Sequence, residues 1–448
     1  MLEKRSFAAL ACALLLLNNI GVSAQSEEVP VSEQYSGANA FDRFRFGGYG
    51  EMTANFKDYG TNRFWGGATG NAKESRSTVS IPRFVLAFDY KFSSKWILGA
   101  EIEFESGGTG SAVEIENSEN GEFETEIEKG GEVCLEQFHI TRLIVPEFNV
   151  RMGHLIVPIG LTNAHHEPIN FFTTSRPEGE MTILPCTWHQ TGLEFFGNVG
   201  RGLWRFNYEA LVVAGMNPDG FSRDNWVRKG SKALFEEENF TRPALAARIE
   251  WKGIDGLRLG VSAYYNDNVI KNSSKPHKYV NVGKSSLSIL SADAQYAGKF
   301  VTARANVVYG RLSNSNLLST VTNLGSGSPY PGARFRNVAH TALAYGAELG
   351  LNLRNIVNAP YFPAIIPFVR YEYYNPQEKG LGKQVMDSRC QVSKWTFGLN
   401  WRALPNLVVK ADYTTRQIGT HSVLGKSGMN SENEFGLGLA YIGWFIKK

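Results

Sequence analysis

Residues 394–402, KWTFGLNWR, and 407–416, LVVKADYTTR, decide the fold. In the first run Trp395, Phe397, Leu399 and Trp401 alternate with Lys394, Thr396, Asn400 and Arg402. In the second, Leu407, Val409, Ala411 and Tyr413 alternate with Lys410, Asp412, Thr414 and Arg416. A period of two sends successive side chains to opposite faces of a strand. A few residues around Pro405 separate the runs, so they read as neighbouring strands with one apolar and one charged face. The rhythm recurs at 203–213, with Trp204, Phe206, Tyr208, Ala210 and Val212 against Arg205, Asn207 and Glu209. It recurs again at 341–353, with Leu343, Tyr345, Ala347, Leu349, Leu351 and Leu353 against Gly346, Glu348, Gly350 and Asn352.

Extending this pattern predicts sixteen strands, near 42–56, 78–92, 95–105, 132–144, 148–154, 189–198, 203–214, 241–252, 257–267, 286–297, 299–311, 341–354, 364–375, 393–403, 406–417 and 433–446. Their links alternate in length. Links after even strands are short, such as Ser93-Ser94, Pro146-Glu147 and Gly298, with a moderate one at 355–363 after the twelfth, while those after odd strands run long, as at 106–131, 155–188 and 312–340. An even count of strands of about ten residues, with one rim of turns and one of loops, is the pattern of a transmembrane antiparallel barrel. Strands facing lipid must close on themselves, because no water is there to satisfy an open edge.

The other face carries Arg45, Arg151, Arg205, Arg248, Arg304, Arg370, Arg402, Lys410 and Arg416, with Glu51, Glu209, Glu250, Glu348, Glu372 and Asp412. Burying so many charges dry would cost several kcal/mol each. About sixteen strands enclose an aqueous channel instead. Those basic residues are therefore expected to line a pore, and their slight excess implies a weak anion preference.

Composition agrees. Of 448 residues, 43% are hydrophobic and 12% aromatic, with 46 Gly and 4 Cys, which excludes collagen, disorder and a disulfide-dense scaffold. A formal charge of +3 is too small to imply a nucleic-acid partner. Residues 1–24 read as a secretory signal, with Lys4 and Arg5, an apolar Phe7–Leu17 and the small-residue end Val22-Ser23-Ala24. Residues 25–41 read as a polar periplasmic tail and 42–448 as the barrel. Beyond the signal, Cys134, Cys186 and Cys390 have no CxxC spacing, and whether any two pair is left open.

The 34-residue link 155–188, LIVPIGLTNAHHEPINFFTTSRPEGEMTILPCTW, is too apolar for an outer loop. Ile169, Phe171, Phe172, Ile183 and Leu184 suit a loop folded inward and packed on the wall. His165, His166, Glu167, Arg176, Glu178, Glu180 and His189 would then face the lumen and form a constriction, where charge and diameter govern passage. Arg176 with Glu178 and Glu180 reads either as an ion-pair brace or as ordinary loop charge. His165-His166-Glu167 lacks a third ligand at motif spacing, so no metal and no cofactor is expected. The run from Glu114 to Glu132 reads as a solvated acidic loop. Gly47-Gly48-Tyr49-Gly50 lacks the Lys-Ser/Thr and helix of a phosphate loop, and no GxSxG points to a barrel hydrolase.

Residues 148–172 (FNVRMGHLIVPIGLTNAHHEPINFF), with SRPEGE at 175–180, ILPCTW at 183–188, GLEFFG at 192–197 and FRFGGYGE at 44–51, resemble the Bacteroidetes outer-membrane porins related to the phosphate-selective porins O and P. The resemblance implies a sixteen-stranded barrel in the outer membrane of a Gram-negative bacterium, among lipid and lipopolysaccharide, assembled as a homotrimer and passing small hydrophilic solutes and ions. Phosphate selectivity is not carried over, because the arginine and lysine ladder of the selective members has no motif to map here. The expectation is a passive porin without enzymatic activity. A substrate-specific channel for phosphate, another anion or a small saccharide stays open, as do a barrel enzyme and a surface adhesin.

Overall fold

The computed structural model describes residues 43–59, 74–108, 111–117, 123–129, 131–231, 238–321, 337–358, 361–419 and 430–446. The expected signal segment and tail, 1–41, lie outside them.

The strands are β1 (Phe44–Tyr59), β2 (Glu74–Ser93), β3 (Trp96–Glu105), β4 (Ser111–Asn117), β5 (Phe123–Lys129), β6 (Glu132–Val145), β7 (Phe148–Ile156), β8 (His189–Val199), β9 (Phe206–Val213), β10 (Ala244–Ile254), β11 (Leu257–Asn266), β12 (Leu287–Ala297), β13 (Val301–Leu312), β14 (Thr341–Leu351), β15 (Ile365–Lys379), β16 (Val392–Leu404), β17 (Leu407–Ile418) and β18 (Asn430–Ile446). Sixteen of them close into one antiparallel barrel, each beside its neighbour in the chain, with β4 and β5 set aside. Closure is made by β1 on β18, in register from Phe46↔Ile446 to Asp58↔Asn433. Every wall strand thus has two partners and the sheet has no edge. Among the described residues no helix is long and apolar enough to cross a membrane.

The period-two reading explains which face looks out. Trp395, Phe397, Leu399 and Trp401 are each about half exposed on the outer surface, while Thr396, Asn400, Lys410 and Asp412 are buried inside. A water-soluble protein would not leave such a belt uncovered.

Two local differences from the sequence reading have physical causes. The link 106–131 holds a separate two-stranded sheet, β4 on β5, with Glu114 opposite Glu126 and Glu116 opposite Glu124. Its strands are seven residues each, so their alternation was lost in the acidic composition. The strand expected from 203 begins at Phe206, because Gly202–Trp204 forms a 3-10 turn. That leaves Arg205 at the short-turn rim, 47% exposed, donating to the Lys252 carbonyl and pairing with Asp255.

The interior has two zones. From β8 to β15, near the long-loop rim, inward side chains are apolar: Leu211, Ala246, Tyr264, Ile289, Val308 and Ala344. They pack on Trp188, Trp226, Ile270, Tyr279 and Leu318, supplied by the loops. Trp226 seats where β13 has Gly310; a Cβ there would lie 2.0 Å from the ring. The wet, charged interior expected from the sequence therefore does not reach this rim, because the loops fold inward and cover the wall. Deeper in, the same strands carry charge. Cys134, Cys186 and Cys390 are all free thiols.

Candidate functional site

The segment after β7 returns to β8 across the barrel interior. Its two ends are tied together: Val157 N donates to Trp188 O at 2.8 Å, and Asn163 Oδ1 accepts from Trp188 N at 2.6 Å. Gly160, at φ 92°, turns the chain into a short helix α1 (Leu161–Ala164). The Glu180 carboxylate caps α1, accepting from Leu161 N at 2.9 Å and Thr162 N at 2.6 Å. Free helix N–H groups favour an anion there. A side chain at 160 would strike this cap, since a Cβ would lie 2.8 Å from Glu180 Oε2.

From His165 to Arg176 the chain is held by backbone carbonyls. Arg83 on β2 donates to His166 O at 2.9 Å, and Arg304 on β13 donates to Asn170 O. Lys410 on β17 donates to three carbonyls, Pro168 at 2.6 Å, Phe171 at 2.7 Å and Thr173 at 3.0 Å. An ammonium has three hydrogens and no acceptor, so this arrangement satisfies it fully. Asp412 accepts from Thr174 N at 2.6 Å and Oγ1 at 3.0 Å. Phe172 stacks on Phe368, with ring centroids 5.3 Å apart. Contacts to β2, β13, β15 and β17 place the segment between opposite sides of the circle.

The second helix, α2 (Glu178–Ile183), sends its two acids in different directions. Glu178 accepts from Tyr374 and Arg416 and lies 3.5 Å from Lys394. Burial works to raise its pKa, but Arg416 and Lys394 outweigh burial and hold it at about 2. Glu180 is shifted the other way: burial raises it despite the two amide hydrogen bonds. Arg176 joins neither acid. Its guanidinium donates to Cys186 Sγ at 3.2 Å and Thr187 Oγ1 at 3.3 Å, so no Arg176–Glu178–Glu180 brace forms.

The other expected constriction residues divide. His165 faces Glu250 at 3.7 Å and His166 faces Glu136 at 3.4 Å. Glu167 accepts from Asn170 at 2.8 Å. His189 leaves the group. Gln190 beside it points inward to the Trp188 indole, so strand alternation puts His189 on the outer face, against His154.

The inner wall is a lattice of ion pairs. Arg45 meets Asp89 at 2.7 Å, Arg83 meets Glu51 at 3.1 Å, and Arg151 meets Glu194 at 2.8 Å. Arg248 holds Asp293 at 2.8 Å and Glu250 at 3.3 Å. Arg370 holds Glu348 at 2.9 Å and Glu372 at 3.1 Å, with Arg304 at 3.6 Å from Glu348. Arg416 also pairs with Glu432. Most of these are direct cross-strand neighbours: Arg304↔Glu348↔Arg370 runs straight across three strands, and Glu372↔Lys394 and Arg416↔Glu432 each run across two. Such opposite-charge neighbours stabilise a sheet. Arg402, on the inner face near Lys410, is intermediate in exposure.

The sequence reading missed one group: Tyr49, Glu101, Glu103 and Glu136. Glu101 pairs with Gln137 and Ile102 with Leu135, so Glu136 is an extra, bulged residue. A bulge breaks the alternation and re-aims a side chain, which here buries Glu136 completely on the inner face. The adjacent polar pair Glu136-Gln137, where the polar positions of β6 switch from even to odd numbers, was the available signal.

No protein-family model matches the chain. A curated protein of Aquifex aeolicus (strain VF5), described as uncharacterized, is 25% identical over 350 residues, spanning 75% of this chain and 70% of its own. Salmonella typhi OmpF, solved in complex with daunomycin, superposes with a TM-score of 0.51 at 10% identity, covering 90% of this chain and 98% of OmpF. A high-pH structure of Pseudomonas putida OprB gives 0.50 at 11% identity, covering 90% and 94%. Both are outer-membrane porins, and at this identity the likeness is one of fold. The barrel resembles outer-membrane proteins of Gram-negative bacteria.

Proposed function

We propose that this chain is an outer-membrane porin, a passive diffusion channel for small hydrophilic solutes and ions. One observation carries the reading: a closed sixteen-stranded wall, apolar outside, encloses an ion-paired interior narrowed by residues 157–188. A packed sandwich would need an apolar interior throughout, and a lipid-facing charged wall would be expensive. We place the protein in the outer membrane of a Gram-negative bacterium, as a homotrimer related to the porins O and P of the Bacteroidetes. The His165–Glu180 stretch sets the width and the wall pairs set the field. Because the wall arginines are matched by carboxylates, the channel discriminates weakly by sign, with at most a slight anion preference. No step of chemistry is assigned to it.

Planar-bilayer recording of the purified, detergent-refolded chain in a KCl gradient tests this. Discrete conductance steps with a reversal potential near zero are expected. Silence from a folded, heat-modifiable barrel would overturn the proposal and favour an enzyme or an adhesin.

A further inference from the structure

We propose that Glu101, Glu136 and His166 form a binding site for a divalent first-row transition metal, linking the wall strands β3 and β6 to the segment that crosses the interior. One donor atom from each of the three lies within 4.8 Å of the others. Glu136 is fully buried and His166 is 5% exposed. Glu101 Oε2, Glu136 Oε1 and His166 Nε2 have no hydrogen bond among the described residues. Buried polar atoms normally find partners, so three orphans aimed at one point call for an occupant.

The surroundings prepare the donors. His166 Nδ1 lies 3.3 Å from the Asn163 carbonyl. A carbonyl only accepts, so Nδ1 carries the hydrogen, and Nε2 is the nitrogen left to bind a metal. Fixing the ring by a hydrogen bond on its other nitrogen is the usual support of a metal-bound histidine. Glu136 Oε2 accepts from the Tyr49 hydroxyl, which orients the carboxylate and leaves Oε1 free. The bulge at Glu136 supplies the inward aim.

Distance and charge agree. His166 Nε2 and Glu136 Oε1 are 3.4 Å apart without a hydrogen bond between them. Two donors each about 2.1 Å from a tetrahedral ion stand about 3.4 Å apart. Glu103, also buried, adds a third carboxylate on this patch. Arg83, a cation beside this patch, donates through Nε to Glu51 and through Nη2 to the His166 carbonyl. A dication would offset that surplus of buried negative charge. The nitrogen donor selects zinc and its neighbours over calcium or magnesium, which prefer oxygen alone.

The site depends on the fold and not on conduction, so its test reads metal alone. The refolded full chain is stripped with chelator and titrated with Zn²⁺ by calorimetry, then with Co²⁺ by visible absorption. One equivalent is expected to bind. His166→Gln and Glu101→Gln should each abolish stoichiometric binding, the latter at a partly exposed position that leaves the barrel heat-modifiable. Tyr49→Phe should weaken it by about 10- to 100-fold, and His277→Gln, on an exposed loop, should leave it intact. No uptake by the folded chain, or one equivalent surviving both Glu101→Gln and His166→Gln, overturns the proposal.

Discussion

On their inner face near the long-loop rim, β9, β10, β12, β13 and β14 carry Leu211, Ala246, Ile289, Val308 and Ala344, buried in a continuous apolar core. A few residues deeper the same strands carry Glu209, Arg248, Asp293, Asn306 and Glu348. Period, strand and face are identical, yet one zone is closed by packing and the other by ion pairs. Alternation assigns a face but says nothing about what covers it. Trp188 and Trp226 cover the first zone. In the second, Arg248 holds Asp293 and Glu250, and Arg304 and Arg370 flank Glu348. The apolar zone frames the loops, and the paired zone is the charged interior that the crossing segment spans.

Three predictions press on that division. Deleting part of 163–180 removes the crossing segment from the paired zone and leaves the apolar frame standing. Single-channel conductance should rise by about two-fold or more, with the barrel still heat-modifiable; unchanged conductance would mean the segment does not limit the route. Trp226→Ala strikes the frame instead. Its ring is fully buried and its Nε1 donates to Ala339 O at 3.1 Å. A loss of about 3–5 kcal/mol in denaturant unfolding is expected, with conductance near that of the parent. A conductance change as large as the deletion's would merge the two zones into one. The smallest effect belongs to pH. The folded pKa of Glu178 lies below its ordinary 4.5, at about 2, so its anchorage to Arg416 is fully present above 4.5 and fades as pH falls toward 2. Open-channel current noise should be flat down to pH 4.5 and grow below it, and Glu178→Gln should remove the step. Noise that grows on the alkaline side would show that the anchorage has the wrong sign.

Much of the wall was legible because its signal is local. Trp395 and Lys410 declare their faces within a few residues of neighbours, and alternate links of two and thirty residues need no partner to be seen. The crossing segment was legible in part, since Phe171, Phe172 and Ile183 are out of place in a solvated loop. The roles of its charges were not. Glu178 and Glu180 are two residues apart, yet one meets Arg416, distant in sequence, and the other caps α1. Arg176 could be matched with either on paper and is taken by Cys186 and Thr187 in space. Arg205 and His189 followed the strand rhythm into the lumen, but a 3-10 turn and the inward Gln190 place them elsewhere.

By itself, the sequence determined that this protein is all-β, that its wall has sixteen strands, and that each strand has one apolar and one polar face. These follow from a two-residue period and from link lengths, which are properties of a few adjacent residues. Only the tertiary structure decided that Glu348 sits between Arg304 and Arg370, that Lys410 holds three carbonyls of the crossing segment, and that a bulge brings Glu136 to His166. Those contacts join residues far apart in the chain. They depend on closure and register, which no local pattern encodes.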